Sequence, residues 1–356
     1  MPVEIPVSFL SVFHIMAIIV YTCIFFDVYT IFVLIFPFSS FILASIHFCC
    51  GFQARRPINA LRNDGRGGAP VRLPIMDKVL RIQIMSFLYY PGCTLKTKAA
   101  DLDTYAKKSA EALGISLIEW EEWQCCGTVY PQAQDEIATR LSAIRTLDEA
   151  RRKESDLLTL CSACHHVLKR INHDMQTNPD IRTKANNYLA LDTPYTGQTR
   201  VVHYLEMLRD TVGFAEIRKR VLHPLTGRKI GAYYGCLLLR PGSVMGFDDP
   251  EAPTIMENFI ESLGAESIVF PYRNECCGGY IMLEEKKLVQ ELSGRILDSA
   301  AQAGAEALIT ACPLCRYNLT KNAPGQGLPV YYFTELLAEA MGVNSPAATK
   351  SKEGFR

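Results

Sequence analysis

A chain of 356 residues is long enough for two ordinary domains with cores of their own, and its 37 basic groups balance its 37 acidic ones. That balance gives no reason to expect a nucleic-acid partner or an acidic surface as a partner. Thirteen cysteines in a chain of this length, headed by an apolar run too long for a typical cleaved signal peptide, argue against a secreted disulfide scaffold. They argue for thiols kept reduced in an anaerobic cytoplasm.

From Val7 to Phe52 the sequence is almost uninterrupted apolar residue, broken by His14 and Asp27. About 20 apolar residues span a bilayer, so the run has room for a helix near 9–29 and a second leg near 31–50. Arg55, Arg56, Arg62, Arg66 and Arg72 follow, and positive charge beside a span holds the rest of the chain on the cytoplasmic side. Residues 1–54 are therefore expected to be a hydrophobic, transmembrane-like helical segment, and 55–84 a Gly/Arg/Pro-rich linker. A second expectation stays open. Met85 stands at a natural start for a compact domain, which would make 1–84 an upstream extension. Cys23, Cys49 and Cys50, all inside the apolar run, are expected to be inert buried thiols.

After residue 84 the chain is one pattern written twice. The first copy reads Tyr89-Tyr90-Pro91-Gly92-Cys93, then Cys125-Cys126-Gly127, then Cys161-Ser162-Ala163-Cys164. The second reads Tyr233-Tyr234-Gly235-Cys236, then Cys276-Cys277-Gly278, then Cys312-Pro313-Leu314-Cys315. From the second cysteine of each CCG to the first of each CxxC is 35 positions in both copies. Each copy closes on V-x-x-[YF]-x-E-[ML]-L, at 201–208 and 330–337. The copies occupy 85–215 and 228–342, with a disordered tail expected at 343–356. A polar excursion at 173–200 reads as a surface insertion.

Short apolar runs predict strands at 86–90, 116–120, 157–160, 230–234, 267–271 and 307–310. Helical periodicity, with Asp and Glu toward the starts, predicts helices at 101–113, 134–153, 254–263 and 284–303. The alternation makes an α/β module, built twice. Each lone cysteine and each CxxC falls just after a predicted strand, so the thiols should gather at the carboxyl edge of a sheet.

Soft thiolates select zinc, copper(I) or iron–sulfur clusters. A structural zinc ion takes four ligands, as does an ordinary cubane cluster, and each copy offers five cysteines. The fifth is either a spare structural thiol or a ligand of an enlarged or opened cluster. No Gly-rich dinucleotide loop, P-loop or Ser/His/Asp arrangement is present, and no catalytic acid or base can be assigned.

The doubled pattern C-x(n)-CCG-x(m)-C-x-x-C resembles the CCG-domain family, whose best-known member is the B subunit of heterodisulfide reductase. Tyr89-Tyr90-Pro91-Gly92-Cys93, Gly246-Phe247-Asp248-Asp249-Pro250 and Ala311-Cys312-Pro313-Leu314-Cys315 look like bacterial members of it. The resemblance covers 85 to about 342. It implies two tandem pseudo-symmetric CCG modules, each holding one noncubane [4Fe–4S] cluster. Cys93, Cys125, Cys126, Cys161 and Cys164 would hold one cluster; Cys236, Cys276, Cys277, Cys312 and Cys315 would hold the other. It implies reduction of a small-molecule disulfide lying between the clusters, with electrons supplied by a ferredoxin-like C-type subunit and a flavin-containing A-type subunit. Members of the family also serve as non-catalytic iron–sulfur subunits of membrane-associated or quinone-linked dehydrogenases, and a membrane attachment through 7–52 would suit that role.

One departure bears on the substrate. The archaeal pattern places a histidine after the second lone cysteine, and here that position is Leu237, which has no proton to give. Lys96 and Arg240, just after the lone cysteines, would meet an anionic substrate or stand as solvated charges. His165 and His166 are expected on a surface turn of helix; His173, His203 and His223 are expected to be ordinary packing or surface residues. Gly127, Gly278 and Gly279 should let the chain turn around a cluster. Trp120, Trp123 and Tyr272 should shield one or pack in the core.

Overall fold

In the computed structural model, residues 85–128, 135–323 and 327–343 are described, and all lie within one compact unit, Leu73–Arg356. The expected apolar segment, the linker and the tail lie outside the described residues.

Continuous apolar runs, rather than alternating ones, make strands buried on both faces, and such strands pair in parallel with helices over each face. The first half builds β1 (Met85–Tyr90), α1 (Gly92–Lys96), α2 (Ala100–Ala112), β2 (Ile115–Glu119), α3 (Ala138–Arg152), β3 (Leu157–Thr159), α4 (Ser162–Thr177), α5 (Pro179–Leu189), β4 (Val201–His203) and α6 (Tyr204–Glu206). A π turn (Met207–Val212) and α7 (Phe214–Arg220) complete it. The second half repeats the plan with β5 (Lys229–Tyr233), α8 (Gly242–Met245), α9 (Ile255–Ser262), β6 (Glu266–Ile268), α10 (Lys286–Gln302), β7 (Ala307–Thr310), α11 (Pro313–Tyr317), β8 (Val330–Tyr332) and α12 (Phe333–Ala340).

The two sheets have the same order, β2-β1-β3-β4 and β6-β5-β7-β8, with every neighbour parallel. Their registers also correspond, Leu88 opposite Leu157 and Gly231 opposite Leu308. The protein is therefore a mixed α/β fold with two parallel sheets. One cluster of buried apolar side chains runs through both halves. The halves are also joined by polar contacts: Thr334 Oγ1 donates to Leu102 O (3.4 Å) and Arg209 Nη1 to Phe247 O (2.8 Å).

The predicted elements are observed to within a few residues, and the structure adds helices α1, α4, α5, α7, α8 and α11 and two closing strand–helix pairs. The closing V-x-x-[YF]-x-E motif is a three-residue strand running straight into a helix, β4 into α6 and β8 into α12. Strands this short leave no periodic signature. The Glu repeated in this motif has a local cause: Glu206 Oε2 accepts from His203 N (2.7 Å), and Glu335 Oε2 from Tyr332 N (2.5 Å), which caps both helices. The excursion at 173–200 is anchored more firmly than a surface insertion. Asn178 caps α5 through Asp180 N (3.1 Å) and Ile181 N (3.2 Å), and fully buried Tyr195 bonds Asn172.

Leu308, in the centre of its sheet, has no exposed surface. Leu308→Ala should cost about 2–5 kcal/mol in anaerobic denaturant unfolding, whereas exposed Tyr188→Ala should stay within about 0.5 kcal/mol of the parent.

Candidate functional site

The first three strands of each half deliver cysteines at their carboxyl ends. Cys93 lies in α1 just after β1, Cys161 caps α4 just after β3, and Cys164 stands in the first turn of α4. Cys125 and Cys126 come from the loop after β2. Their sulfurs meet in pairs: Cys93 Sγ is 3.6 Å from Cys125 Sγ, Cys126 Sγ is 3.4 Å from Cys164 Sγ, and Cys161 bonds Cys164. The second half repeats this, with Cys277 Sγ 3.4 Å from Cys315 Sγ, Cys236 bonding Cys276, and Cys312 bonding Cys315. The two sets adjoin: Ser162 N, next to Cys161, donates to Ala311 O, next to Cys312, at 3.2 Å, and the two thiols influence each other's protonation. All ten thiols are free; Cys126, Cys161, Cys164, Cys277, Cys312 and Cys315 are buried, while Cys93, Cys125 and Cys276 face solvent.

The backbone approaches the sulfurs of both sets closely. Gly92 (φ +73°) lies where a Cβ would stand 2.8 Å from Cys164 Sγ, and Gly235 (φ +64°) where one would stand 3.2 Å from Cys315 Sγ. Only glycine combines that dihedral with that closeness. A cavity of about 20 Å³ opens among the five second-set cysteines and is rimmed by Leu237, Tyr280 and Leu314. Among the described residues no three Cys, His, Asp or Glu side chains are grouped to hold a single metal ion.

Matched tyrosines hold both cysteine pairs. Tyr90 OH donates to Gln124 O (2.6 Å) and Tyr233 OH to Glu275 O (2.8 Å), fixing the carbonyl just before each CC. The repeated Tyr three residues before each lone cysteine was a visible signal for this role. The amides of Gly127 and Gly278 donate to Cys125 Sγ (3.5 Å) and Cys276 Sγ (3.3 Å). Asn318 Nδ2 donates to Cys277 O (3.0 Å), and Thr128 Oγ1 lies 2.9 Å from Cys126 Sγ. Trp123 packs edge-on against Tyr90, with ring centroids 6.0 Å apart.

Crowded thiols share protons. Hydrogen bonds from Cys125 and Cys164 bring Cys126 down to about 3, and one from Cys236 brings Cys276 down to about 6. Their donors shift the other way: Cys236 is held up by its bond to Cys276 and by burial, and Cys164 by its bonds to Cys126 and Cys161. Cys312 is pushed up to about 12, first by its bond to Cys161. Thiolates are the ligating form, so loading a metal group releases protons from the raised members.

The other charged candidates are already engaged. Lys96 Nζ lies 2.7 Å from Glu119 Oε1, and Arg240 bonds Glu251 (3.0 Å) and Asn274 O (2.8 Å). His165 and His166 are not on the surface: both are buried, beside the core rather than on an outer turn, because α4 packs between the sheet and the second half. His165 Nδ1 bonds Thr159 Oγ1 (3.0 Å), and His166 Nδ1 bonds Leu237 O (3.0 Å). Burial holds both imidazoles below their usual range. His203 is a packed core residue, as expected, bonded through Nε2 to Leu160 O (3.0 Å).

Comparison with known proteins identifies this arrangement. The model of the CCG family, described as a cysteine-rich domain, matches residues 87–169 and 230–320. The chain is 30% identical to the 8-methylmenaquinol:fumarate reductase membrane anchor subunit of Wolinella succinogenes, across 72% of this chain and 92% of that one. The chain belongs to the CCG-domain family. Archaeal relatives include a protein of Archaeoglobus profundus named as like the heterodisulfide reductase B subunit, 28% identical over 70% of this chain and 89% of that one. Another is the B subunit of the ferredoxin:CoB-CoM heterodisulfide reductase of Methanosarcina mazei, 24% identical over 70% of this chain and 87% of that one. A crystal structure of a hypothetical protein from Helicobacter pylori shares the fold, with a TM-score of 0.57 at 13% identity over 74% of this chain and about half (50%) of that one. The CCG chain is thus an iron–sulfur subunit related to components of multi-subunit oxidoreductases. No helix among the described residues is long and apolar enough to cross a membrane.

In metal-free, reduced protein, iodoacetamide should alkylate exposed Cys276 at neutral pH, and its rate should fall as pH drops through about 6, where the thiolate takes up its proton. Cys236 should label far more slowly across the same range. Peptide mapping of the labelled protein checks both.

Proposed function

We propose that the chain is an iron–sulfur disulfide reductase subunit, each CCG module holding one noncubane [4Fe–4S] cluster on its own five cysteines. Cys93, Cys125, Cys126, Cys161 and Cys164 serve the first module, taken as 85–215. Cys236, Cys276, Cys277, Cys312 and Cys315 serve the second, taken as 228–342. The donor set fits such a group: five soft thiolates, two glycine-lined approaches, and amide donors aimed at sulfur. When bound, the clusters supply the one-electron redox chemistry that protein side chains lack.

The observation that carries the reading is the meeting of the two CxxC segments, where Ser162 N and Oγ donate to Ala311 O at 3.2 and 2.6 Å beside Cys161 and Cys312, which brings the two five-thiol sets together. Cleaving an S–S bond takes two electrons, and two adjoining one-electron centres meet that need. The chain's own residues position and insulate. Tyr90 and Tyr233 fix the CC pairs, the glycine amides lower the charge cost at sulfur, and Trp123, Leu237 and Leu314 keep water from the buried face. Solvent-facing Cys93, Cys125 and Cys276 mark where electrons arrive or leave. The partners we assign are a ferredoxin-like C-type subunit and a flavin-containing A-type subunit in the cytoplasm.

A second reading has its own support. Leu237 offers no proton, Lys96 and Arg240 are occupied by carboxylates, and one relative is named a membrane anchor subunit of a menaquinol-linked reductase. These favour a non-catalytic conduit that exchanges electrons with quinone at the membrane.

Anaerobically purified protein should contain about eight irons and as many acid-labile sulfides per chain; stoichiometric zinc in their place would overturn the cluster assignment. Gly92→Ala should lose about half of that iron, from the first module alone. Reoxidation of the reduced protein by small disulfides supports the reductase reading; reoxidation by a quinone analogue alone selects the conduit.

A further inference from the structure

Two carbonyls, Leu160 O and Ala311 O, immediately precede the first cysteine of each CxxC, and one hydroxyl reaches both. Tyr332 OH lies 2.7 Å from Leu160 O and 2.9 Å from Ala311 O. Ser162, between the cysteines of the first CxxC, adds a second cross-link: its Oγ donates to Ala311 O at 2.6 Å and its amide at 3.2 Å. Tyr332 has no exposed surface and Ser162 has 1%. These bonds tie residues 160–162 of one module to residue 311 of the other, at the point where the two thiol sets adjoin.

The repeat shows that this junction is not a by-product of building the module twice. The counterpart of Tyr332 is His203, whose Nε2 bonds Leu160 O of its own module at 3.0 Å and makes no bond across to the other. The counterpart of Ser162 is Pro313, which has neither a hydroxyl nor an amide hydrogen. Both departures from symmetry place donors at the same spot. A module that needed only to fold could keep the symmetric residues, since a buried carbonyl is satisfied equally well from within its own half. The solvent-facing thiols, Cys93 and Cys125 on one side and Cys276 on the other, are not part of this junction.

We propose that Tyr332 and Ser162 are positioning residues that fix the spacing of the two redox centres and provide the hydrogen-bonded path for electron exchange between them. The inference rests on the cluster reading above. In the exchange one centre loses one electron and the other gains it; no bond breaks and no proton moves. The path is short and closed: Cys161, the Leu160 carbonyl, the Tyr332 hydroxyl, the Ala311 carbonyl, Cys312. The Tyr332 hydroxyl lies between the two carbonyls and shares its single hydrogen between them. A link through bonds and hydrogen bonds couples two centres more strongly than a gap of the same length.

The test compares the full chain with Tyr332→Phe, Ser162→Ala and, as a control, Tyr195→Phe, which loses a buried hydrogen bond to Asn172 away from the cysteines. Each is loaded anaerobically, assayed for iron, and reduced so that both centres are paramagnetic. The parent should show spin–spin splitting in electron paramagnetic resonance. Tyr332→Phe should keep its iron and unfold about 2–4 °C lower, the cost of one buried hydrogen bond, with the splitting narrowed. Ser162→Ala should narrow it to a lesser degree, and Tyr195→Phe should leave it as in the parent. Splitting unchanged in Tyr332→Phe and Ser162→Ala at full iron content overturns the proposal, and so does a parent that holds iron but shows no splitting. If Tyr332→Phe loses its iron, Ser162→Ala decides alone. A parent without iron removes the cluster reading itself, and this inference with it.

Discussion

Five sulfurs from three stretches, spread over some 70 residues of chain in one half and 80 in the other, have to arrive at one place, most of them buried. Parallel β-structure solves this, because every strand in such a sheet points its carboxyl end the same way. In both halves the lone cysteine follows the first strand, the CxxC follows the third, and the CC loop follows the second. Those three strands are neighbours in the order β2-β1-β3 and β6-β5-β7. The thiols meet because the strands do.

Gathering thiols has an electrostatic cost that the surroundings offset. Adjacent sulfurs cannot all ionise, and the protein distributes protons along the wall, with Cys126 and Cys276 lowered and Cys164 and Cys236 raised. Glycine amides and Thr128 soften the charge from the backbone side. Tyr90 and Tyr233 hold each CC carbonyl from beneath, which keeps two neighbouring thiols pointed at the same wall rather than apart. These groups are hydrogen-bond donors placed where negative charge collects, the same logic by which second-layer contacts tune metal sites.

Much of the site was legible beforehand. The equal 35-residue spacing of CCG to CxxC, and the placement of each motif after an apolar run, were enough to expect two five-thiol sets at a sheet edge. His165 and His166 were not legible: a pair of polar residues just after a CxxC reads as surface, and only the packing of α4 against the second half buries them. Lys96 and Arg240 were ambiguous for the opposite reason, since their carboxylate partners Glu119 and Glu251 lie in other segments and only folding brings them close.

From the order of its residues alone, this chain determined that it would build one α/β module twice and collect thiols at the carboxyl end of each, because strand periodicity and motif spacing are local properties. Which thiols touch, and how the modules face one another, belong to the tertiary structure. The meeting of the Cys161 and Cys312 segments, and the reach of Tyr332 across to Leu160, depend on how two cores merge into one, and no spacing along a single strand encodes that packing.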